Sequence, residues 1–544
     1  MATVMRNVGP WLGLGAALFL LNFLLTFHNL WPTLWIRYSN ELSIELTVLA
    51  LALALYAEFR RPPRPFWRTG LALFLILLVL GRYADVTAPA LYGRPINLYW
   101  DAQHLPQVSA MLIEAAPLGW AVLLLGTILG LLVGLFLLLR WCLGRLWKGL
   151  AYAPTRRTLG GMAALLLASF IVGKASRDVT AEYWFSIPVT ATYARQIGFV
   201  LTALWGDERN LPGPIMAKAD LERLKGADVF VIFIESYGAT TFDKPRFRER
   251  LEPQYRDLAA AVEESGRWAV SAFVTSPTFG GSSWLAHSSF LTGIDLHDEG
   301  DYQRVLTSHR DTWARHFQTL GYRAVALMPG LRQAWPEGGF YGFEHIYDAA
   351  SLNYQGPAFG WWRIPDQYSL AHFHRVEIEA PRHQPLLVFF PTISSHNPFR
   401  PTPVYQPDWD RVLSPNPFPP EAVAAALKKT DAWLQFQTAY VDTLAYELTW
   451  LAGYVRTWAR PNALFVVLGD HQPQASVTGV GAPWDVPVHV IGRQADIMAT
   501  LAMAGFTPGF FPRREPIART SELGTLLLDA FSTREDTRIL QAGR

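Results

Sequence analysis

Residues 228–238 read DVFVIFIESYG, an apolar run that ends in a polar turn sequence. A run without polar alternation predicts a strand that is buried on both faces, as in a parallel sheet. Further strands are predicted at residues 269–274, 324–328, 386–390 and 464–468, and helices at residues 284–291, 308–320 and 421–459. The alternation of such strands with helices predicts an α/β fold with a mostly parallel sheet that is covered by helices on both faces.

Polar side chains follow four of these predicted strands. They are Glu235, Asp470 with His471, His396, and Ser282 with Ser283 at the start of a predicted helix. Because the carboxyl ends of parallel strands meet at one edge of a sheet, we expect these side chains to lie close together. Carboxylate, imidazole and hydroxyl groups form a set of oxygen and nitrogen ligands that suits Zn²⁺ or Mn²⁺.

Each of these residues also has a structural explanation when it is considered alone. An acidic residue after a strand is commonly a turn residue, and a serine before a helix is commonly its N-cap. Asp470-His471 fits a solvated turn as well as a ligand pair, and His489 fits either a hydrogen-bonded core residue or a peripheral ligand. The convergence of four strand ends favours a metal site over these separate explanations.

The N-terminal third contains apolar runs of membrane-spanning length. Five spans are predicted, at residues 11–30, 42–58, 70–86, 116–139 and 159–174. The third has the shortest dense apolar stretch, which also fits a buried helix of a soluble protein. Arg-rich loops follow the second and fourth runs, at residues 60–68 and 140–157, so the positive-inside rule places these loops and the N-terminus in the cytoplasm. Five spans then export everything after Lys174.

The composition excludes several classes of protein. Only 17% of the 544 residues are charged and 51% are hydrophobic, whereas about a quarter are charged in an average soluble domain, so an integral membrane protein is predicted. A net charge of +2 gives no basic field, and no nucleic-acid partner is expected. The single cysteine, Cys142, excludes an intramolecular disulfide framework and a multi-cysteine metal site.

Four short motifs follow one another in the exported part. They are Glu-Ser-Tyr-Gly at residues 235–238, Gly-Gly-Ser-Ser at 280–283, Ser-His-Asn-Pro-Phe at 395–399 and Gly-Asp-His at 469–471. This order resembles the alkaline phosphatase and sulfatase superfamily. More narrowly, it resembles the lipoteichoic acid synthase group of membrane phosphoglycerol and phosphoethanolamine transferases, and residues 359–366 and 440–442 are similar as well.

The resemblance implies a domain organisation. It comprises a five-helix transmembrane domain at residues 1–176, a juxtamembrane linker at 177–222, and an extracytoplasmic α/β catalytic domain of the sulfatase type at 223–544. The implied location is the bacterial cytoplasmic (inner) membrane, crossed several times, with the catalytic domain in the periplasm or outside the cell.

The resemblance also implies roles for the motif residues. The implied ligands of one divalent ion, Mn²⁺, Zn²⁺ or Mg²⁺, are Glu235, Asp470 and His471. A serine at the helix start would ligate this ion and attack phosphorus, and His396 would contact the headgroup or the leaving group. The Leu-Thr-Gly ending of the sulfatase signature selects Ser283 as this serine, which we favour, whereas the Gly-Lys-Thr-Ser motif of the synthases selects Ser282.

The chain departs from the family pattern where the headgroup would bind. The synthases carry a Trp-x-Arg segment that contacts glycerol phosphate, and the nearest match here is Trp335-Pro336-Glu337. Glu337 suits a cationic ethanolamine instead, and Arg332 is an alternative phosphate contact. Sulfatase activity is disfavoured, because Ser283 is not followed by the Pro and Arg that direct formylglycine formation.

The function implied by the resemblance is a metal-dependent transferase. It would move a phosphoglycerol or phosphoethanolamine headgroup from a membrane phospholipid to a hydroxyl acceptor of the cell envelope, through a phosphoserine-type intermediate. Two alternatives stay open at this point. One is a phosphohydrolase on the same scaffold, and the other is a non-catalytic, lipid-sensing regulator.

Overall fold

The computed structural model describes residues 2–533 except for 31–32, 60–64, 93–95, 97–108, 110–117, 176–183, 206–218, 307, 309, 333–334, 336, 361, 382–383 and 429–435. The chain forms two compact units, Met1–Gly206 and Asp207–Arg544. Each unit has its own buried apolar cluster.

The N-terminal unit is built from long helices. They are Ala2–Thr26, Ile44–Phe59, Pro65–Tyr92, Leu118–Leu150, Ala153–Ala175 and Val189–Trp205. Two short strands, β1 (His28–Asn29) and β2 (Ile36–Arg37), pair in antiparallel fashion. The last helix lies in the stretch predicted as a linker.

Three of these helices are long and apolar enough to cross a bilayer: Phe66–Leu91, Val122–Leu150 and Ala153–Lys174. Only 6% of the apolar window in Val122–Leu150 is buried, which leaves side chains that suit a lipid environment. The third predicted run, residues 70–86, therefore belongs to a helix of spanning length. Ile44–Phe59 has 16 residues, about 24 Å against a hydrocarbon core of about 30 Å, so five spans remain a prediction. Arg60, Arg61 and Arg64 lie outside the described residues.

The C-terminal unit contains a nine-stranded sheet. Its strands are β3 (Val229–Ile234), β4 (Trp268–Thr275), β5 (Arg323–Leu327), β6 (His345–Tyr347), β7 (Leu386–Pro391), β8 (Leu464–Gly469), β9 (Asp485–Gly492), β10 (Thr507–Pro508) and β11 (Pro516–Arg519). Their order is β10-β4-β9-β8-β3-β7-β5-β6, and β11 pairs with β4. All five predicted strands are confirmed, and β3 lies between β8 and β7.

The sheet is mixed: five of its eight strand pairings are parallel, as predicted for most of the sheet, and three are antiparallel. The centre β8-β3-β7-β5-β6 is parallel, but β9 runs antiparallel to both β8 and β4. The segment between β8 and β9 carries only the four-residue helix Ala475–Thr478, which is too short for the crossover that a parallel neighbour requires. The sequence analysis missed β9 because Pro487 and His489 interrupt its apolar run.

Helices cover both faces of the sheet. The α-helices of this unit are Thr240–Asp243, Pro245–Glu264, Ser283–Thr292, Glu299–Leu306, Trp313–Thr319, Gly338–Tyr341, Asp366–Phe373, Trp409–Val412, Pro420–Leu427, Phe436–Thr457, Ala475–Thr478, Ala495–Met503 and Thr520–Phe531. Single turns of 3₁₀ and π type occupy Glu222–Leu224 and His374–Ile378. In β3 the side chains of Phe230 and Ile232 join one apolar cluster, and those of Val229 and Val231 join the other. This two-sided burial explains the unbroken apolar run.

Two predicted helices have different bounds in the structure. The single helix predicted at residues 421–459 is two helices, Pro420–Leu427 and Phe436–Thr457, because Lys428 leaves the helical region with ψ 119°. The helix predicted at residues 308–320 begins at Trp313, where the Thr312 side chain accepts the N–H of Arg315 as an N-cap.

Candidate active site

Two neighbouring strand ends bring three titratable side chains together. β3 and β8 are parallel and in register up to Ile234 and Gly469, so the next residues, Glu235 and Asp470, leave the sheet side by side. Oxygen and nitrogen atoms of Glu235, Asp470 and His471 lie within 4.8 Å of one another, and all three residues are buried. The predicted ligand group is thus assembled in one place.

The two backbones approach closely at this point. A Cβ atom on Gly469 would lie 1.9 Å from the carbonyl oxygen of Tyr237, so no larger residue fits before Asp470. Glu235 is held from the other side by the segment that follows β7. Its N–H donates to Thr392 Oγ1 at 3.2 Å, and Ser395 Oγ donates to its carbonyl at 2.7 Å.

Ser283 completes the cluster. It is the first residue of the helix Ser283–Thr292, and its Oγ donates to Glu235 Oε2 at 2.9 Å and lies 3.1 Å from His471 Nε2. Ser282 occupies the N-cap position with φ +61° and makes no side-chain cap hydrogen bond. Of the two candidate serines, the geometry therefore brings Ser283 to the cluster.

The electrostatics of the cluster favour a bound cation. Asp470 Oδ1 accepts the N–H groups of Ser236 at 2.8 Å and His471 at 2.7 Å, but Oδ2 is buried without a hydrogen-bond partner among the described residues. Burial and the neighbouring Glu235 charge raise the pKa of Asp470 well above its usual range. A dication would neutralise both carboxylates and satisfy Oδ2, so these residues fit a metal site.

The imidazole of His471 is oriented by its own backbone neighbourhood. Its Nδ1–H donates to the carbonyl of Gln472 at 2.7 Å, which leaves Nε2 as the atom that carries a lone pair. Nε2 lies 3.4 Å from Glu235 Oε1 and 3.7 Å from Asp470 Oδ2. This is the arrangement of a metal-ligating histidine that a backbone carbonyl holds in place.

His396 lies at the margin of this cluster. Burial raises the pKa of Glu235, but the nearby imidazoles of His471 and His396 and the hydrogen bond from Ser236 lower it to about 2. His396 Nδ1–H donates to the carbonyl of Asn397 at 2.7 Å, so Nε2 is the ring atom that can exchange a proton. The half-buried ring is thus within electrostatic reach of Glu235.

The three predicted headgroup residues have different surroundings. Trp335 stacks on Tyr341 with ring centroids 5.4 Å apart, and Glu337 precedes the short helix Gly338–Tyr341. Among the described residues, neither is part of the cluster of Glu235, Asp470 and His471. Arg332 is exposed and lines a cavity next to Trp362, whose ring lies 4.6 Å from that of His396.

His489 is a core residue rather than a peripheral ligand. It lies in β9 with 1% of its surface exposed, and its ring nitrogens contact Ser271 Oγ at 2.6 Å and Tyr237 hydroxyl at 2.9 Å. Both nitrogens are therefore satisfied within the protein.

The sequence analysis missed a buried acid pair beneath the His396 segment. Asp366 accepts the N–H groups of Ile393 and Ser394, the latter at 2.6 Å, and Glu447 lies against it and accepts the indole N–H of Trp450 at 2.8 Å. Neither acid is exposed. Burial and the Asp366 charge raise the pKa of Glu447 well above its usual range. The sequence contained one sign of this pair: Glu447 lies inside the apolar stripe of the helix predicted at residues 421–459.

The raised pKa of Glu447 makes stability depend on pH. The folded state binds the Glu447 proton more tightly than the unfolded chain, in which the usual pKa is about 4.3. The resulting stabilisation of the folded state is complete below that pH. It declines by up to about 1.4 kcal/mol per pH unit as the pH rises towards the folded pKa. The thermal midpoint of the C-terminal unit should fall as the pH rises above about 4.3. Glu447→Gln should flatten this decline and exposed Glu249→Gln should not; equal slopes in all three proteins would contradict the assignment.

No protein-family model matches this chain, and the search of curated proteins found no match. Several solved structures do match part of this chain. The lipoteichoic acid synthase LtaP from Listeria monocytogenes is 14% identical over 51% of this chain and 68% of its own, with a TM-score of 0.33. An alkaline phosphatase superfamily protein from Vibrio parahaemolyticus is 16% identical over 57% and 71%, with a TM-score of 0.34.

The Streptococcus pyogenes phosphoglycerol transferase GacH, solved with sn-glycerol-1-phosphate, is 11% identical over 59% of this chain and 84% of its own, with a TM-score of 0.37. The chain is similar to these proteins at low identity. Their names are those of the superfamily and the transferase group that the sequence motifs resemble.

Proposed function

We propose that this protein transfers a phosphorylated headgroup, phosphoglycerol or phosphoethanolamine, from a membrane phospholipid to a hydroxyl acceptor of the cell envelope. The observation that carries the proposal is the position of Ser283. Its Oγ lies at a helix start and within 3.1 Å of two of the three clustered ligands. A hydroxyl beside a carboxylate, an imidazole and a helix N-terminus is placed for attack on phosphorus.

Glu235, Asp470 and His471 would hold one divalent ion, as would Ser283 Oγ, which lies in the same cluster. Such an ion supplies Lewis-acid stabilisation of the phosphoryl charge. Mn²⁺ and Zn²⁺ suit this mixed oxygen and nitrogen set best, and Mg²⁺ suits it less because an imidazole contributes.

Side chains of the protein would carry out the attack on phosphorus and the proton transfers. The Ser283 hydroxyl donates its proton towards Glu235 Oε2, which leaves an Oγ lone pair directed away from the carboxylate. As Oγ forms a bond to phosphorus and the bond between phosphorus and the glyceride oxygen breaks, the serine proton would pass to Glu235 Oε2. His396 would give a proton to the leaving glyceride oxygen. The acceptor hydroxyl would then attack the phosphoserine and lose its proton to His396, and the released Ser283 Oγ would regain its proton from Glu235.

The proposal is tested with the full-length protein in phospholipid vesicles. Release of diacylglycerol together with headgroup phosphate on an added hydroxyl acceptor supports a transferase. Release of diacylglycerol with only free headgroup phosphate indicates the phosphohydrolase. No release from any phospholipid contradicts both and leaves the lipid-sensing regulator.

The proposed location predicts a topology. The N-terminus should be cytoplasmic and residues after Lys174 outside, because Arg-rich loops follow the second and fourth apolar runs. An alkaline-phosphatase-type reporter fused after residue 209 should be active, and a reporter that matures only in the cytoplasm should be inactive there. The reverse pattern would contradict the topology and the access to an outer-leaflet donor.

His396→Ala should slow diacylglycerol release without removing the metal. A proton donor to the leaving oxygen contributes about 10²–10⁴-fold, and His396 is not among the clustered ligands. Rate and metal content are measured on the same preparation, with the exposed His345→Ala as the matched control. Unchanged turnover in His396→Ala would show that His396 is not the proton donor to the leaving glyceride oxygen.

A further inference from the structure

A cavity of about 80 Å³ opens beside the proposed active site. It is lined by Arg332, Ala349, Tyr354, Trp362, Arg363 and Ile364. Since roughly 10–15 Å³ of such space accommodates one water molecule, this cavity has room for a phosphate or carboxylate group.

The described residues that line the cavity offer hydrogen-bond donors and no carboxylate. Two of them are arginines, whose planar guanidinium groups bind phosphate and carboxylate oxygens in pairs. The indole N–H of Trp362 is buried and has no hydrogen-bond partner among the described residues. The hydroxyl of Tyr354 donates to the carbonyl of Pro357 at 3.0 Å. The lining therefore suits an anion and does not suit the ammonium group of ethanolamine.

The backbone at the cavity adopts an uncommon conformation. Arg363 has φ +55°, in the left-handed region that side chains other than glycine rarely adopt. The turn is held by hydrogen bonds from Ile364 N–H to the Trp362 carbonyl at 2.6 Å and from Phe359 N–H to the Arg363 carbonyl at 3.2 Å. Such conformations concentrate at ligand sites, where the surrounding structure maintains them.

Trp362 connects the cavity to the reaction centre. Its ring lines the cavity on one side and lies at 62° to the His396 ring, with centroids 4.6 Å apart, on the other. A group bound in the cavity is thus separated from His396 by one aromatic side chain. It cannot be the phosphoryl group that Ser283 attacks, because Ser283 lies with Glu235 and His471.

We infer that the cavity binds a second anionic group of the substrate, a phosphate or a carboxylate, in addition to the phosphoryl group that is transferred. This inference rests on the proposed function. The anion belongs either to the donor headgroup or to the acceptor, and Arg332, Arg363 and the Trp362 indole recognise the same oxygen chemistry in both cases.

Binding is tested first, without catalysis. The full-length protein in detergent is stripped of metal with a chelator, and binding of radiolabelled inorganic phosphate is measured by equilibrium dialysis. We expect about one site per chain, weakened at least tenfold in Arg332→Gln and in Arg363→Gln. Arg363→Lys should retain part of the affinity, because charge remains while the paired donors are lost. Exposed Arg256→Gln is the control. No phosphate binding, or equal binding in both variants, would overturn the inference.

Kinetics then identify the source of the anion. If the donor carries it, diacylglycerol release should be faster from phosphatidylserine than from phosphatidylglycerol, and Arg363→Gln should abolish this preference. If the acceptor carries it, Arg363→Gln should raise the KM for sn-glycerol 1-phosphate at least tenfold and leave the KM for glycerol unchanged. If neither the donor preference nor the change in the acceptor KM is observed, the assignment of the anion to the substrate is overturned. If the wild type binds phosphate but releases no diacylglycerol, the proposed function is contradicted and the anion-binding site is not.

Discussion

Ser283→Ala should lose both diacylglycerol release and headgroup transfer, by about 10⁴-fold or more. Its Oγ is the hydroxyl that contacts Glu235 and His471, and alanine offers no atom that can form the bond to phosphorus. The two activities should fall together, because release of diacylglycerol is the step that forms the phosphoserine. The measurement is diacylglycerol released from vesicles with and without an acceptor.

The adjacent serine is the matched control. Ser282→Ala should retain most activity, since Ser282 makes no side-chain cap hydrogen bond and serves the turn before the helix. If Ser282→Ala is the inactive variant, the nucleophile is one residue earlier and the mechanism survives. If both single variants and the double variant still release diacylglycerol, the covalent mechanism is wrong.

Asp470→Asn should abolish stable metal binding and reduce turnover by about 10³-fold, which corresponds to about 4 kcal/mol of transition-state stabilisation. Asparagine can still accept the N–H groups of Ser236 and His471, so the fold should persist. It lacks the charge that a dication requires. Metal content by elemental analysis, turnover and the thermal midpoint are measured on one preparation.

Asp257→Asn is the control for a carboxylate of the same unit, because exposed Asp257 pairs with Arg456 and is not among the clustered ligands. It should leave metal content and turnover unchanged. Full activity of Asp470→Asn after exhaustive chelation would show that the reaction does not depend on this ion.

The strand ends were predictable from sequence because two local signals coincide there. An unbroken apolar run marks β3 and β8 as buried strands, and a polar residue directly after each run marks the edge where Glu235 and Asp470 emerge. Their proximity follows from parallel pairing in register. The position of Ser283 at the helix start is also local, and the Leu-Thr-Gly ending favoured it over Ser282 before its contact with Glu235 was known.

Features that depend on long-range packing were not predictable. β9 contains Pro487 and His489, and it is a strand because pairing with β4 and β8 on both sides outweighs these interruptions. Asp366 and Glu447 are 81 positions apart, and only the folded chain brings the two acids into one buried pair.

The headgroup residues illustrate the same limit. Trp335 matched a motif in the sequence, but its ring packs on Tyr341 in an apolar cluster. Trp362 lies next to His396 because the segment that contains it folds against the end of β7. A short motif match identifies a residue type but not the side chains that the folded chain places around it, so the headgroup role of Trp335 stays a prediction.

The central claim is that Ser283 carries the headgroup phosphate during the reaction. The most direct test is mass spectrometry of the purified full-length protein after incubation with a phospholipid donor and without an acceptor. We predict a headgroup-phosphate adduct on the peptide that contains Ser283, localised to that residue and removed when an acceptor is added. An unmodified Ser283 peptide under conditions in which diacylglycerol is released in stoichiometric amounts would contradict the account.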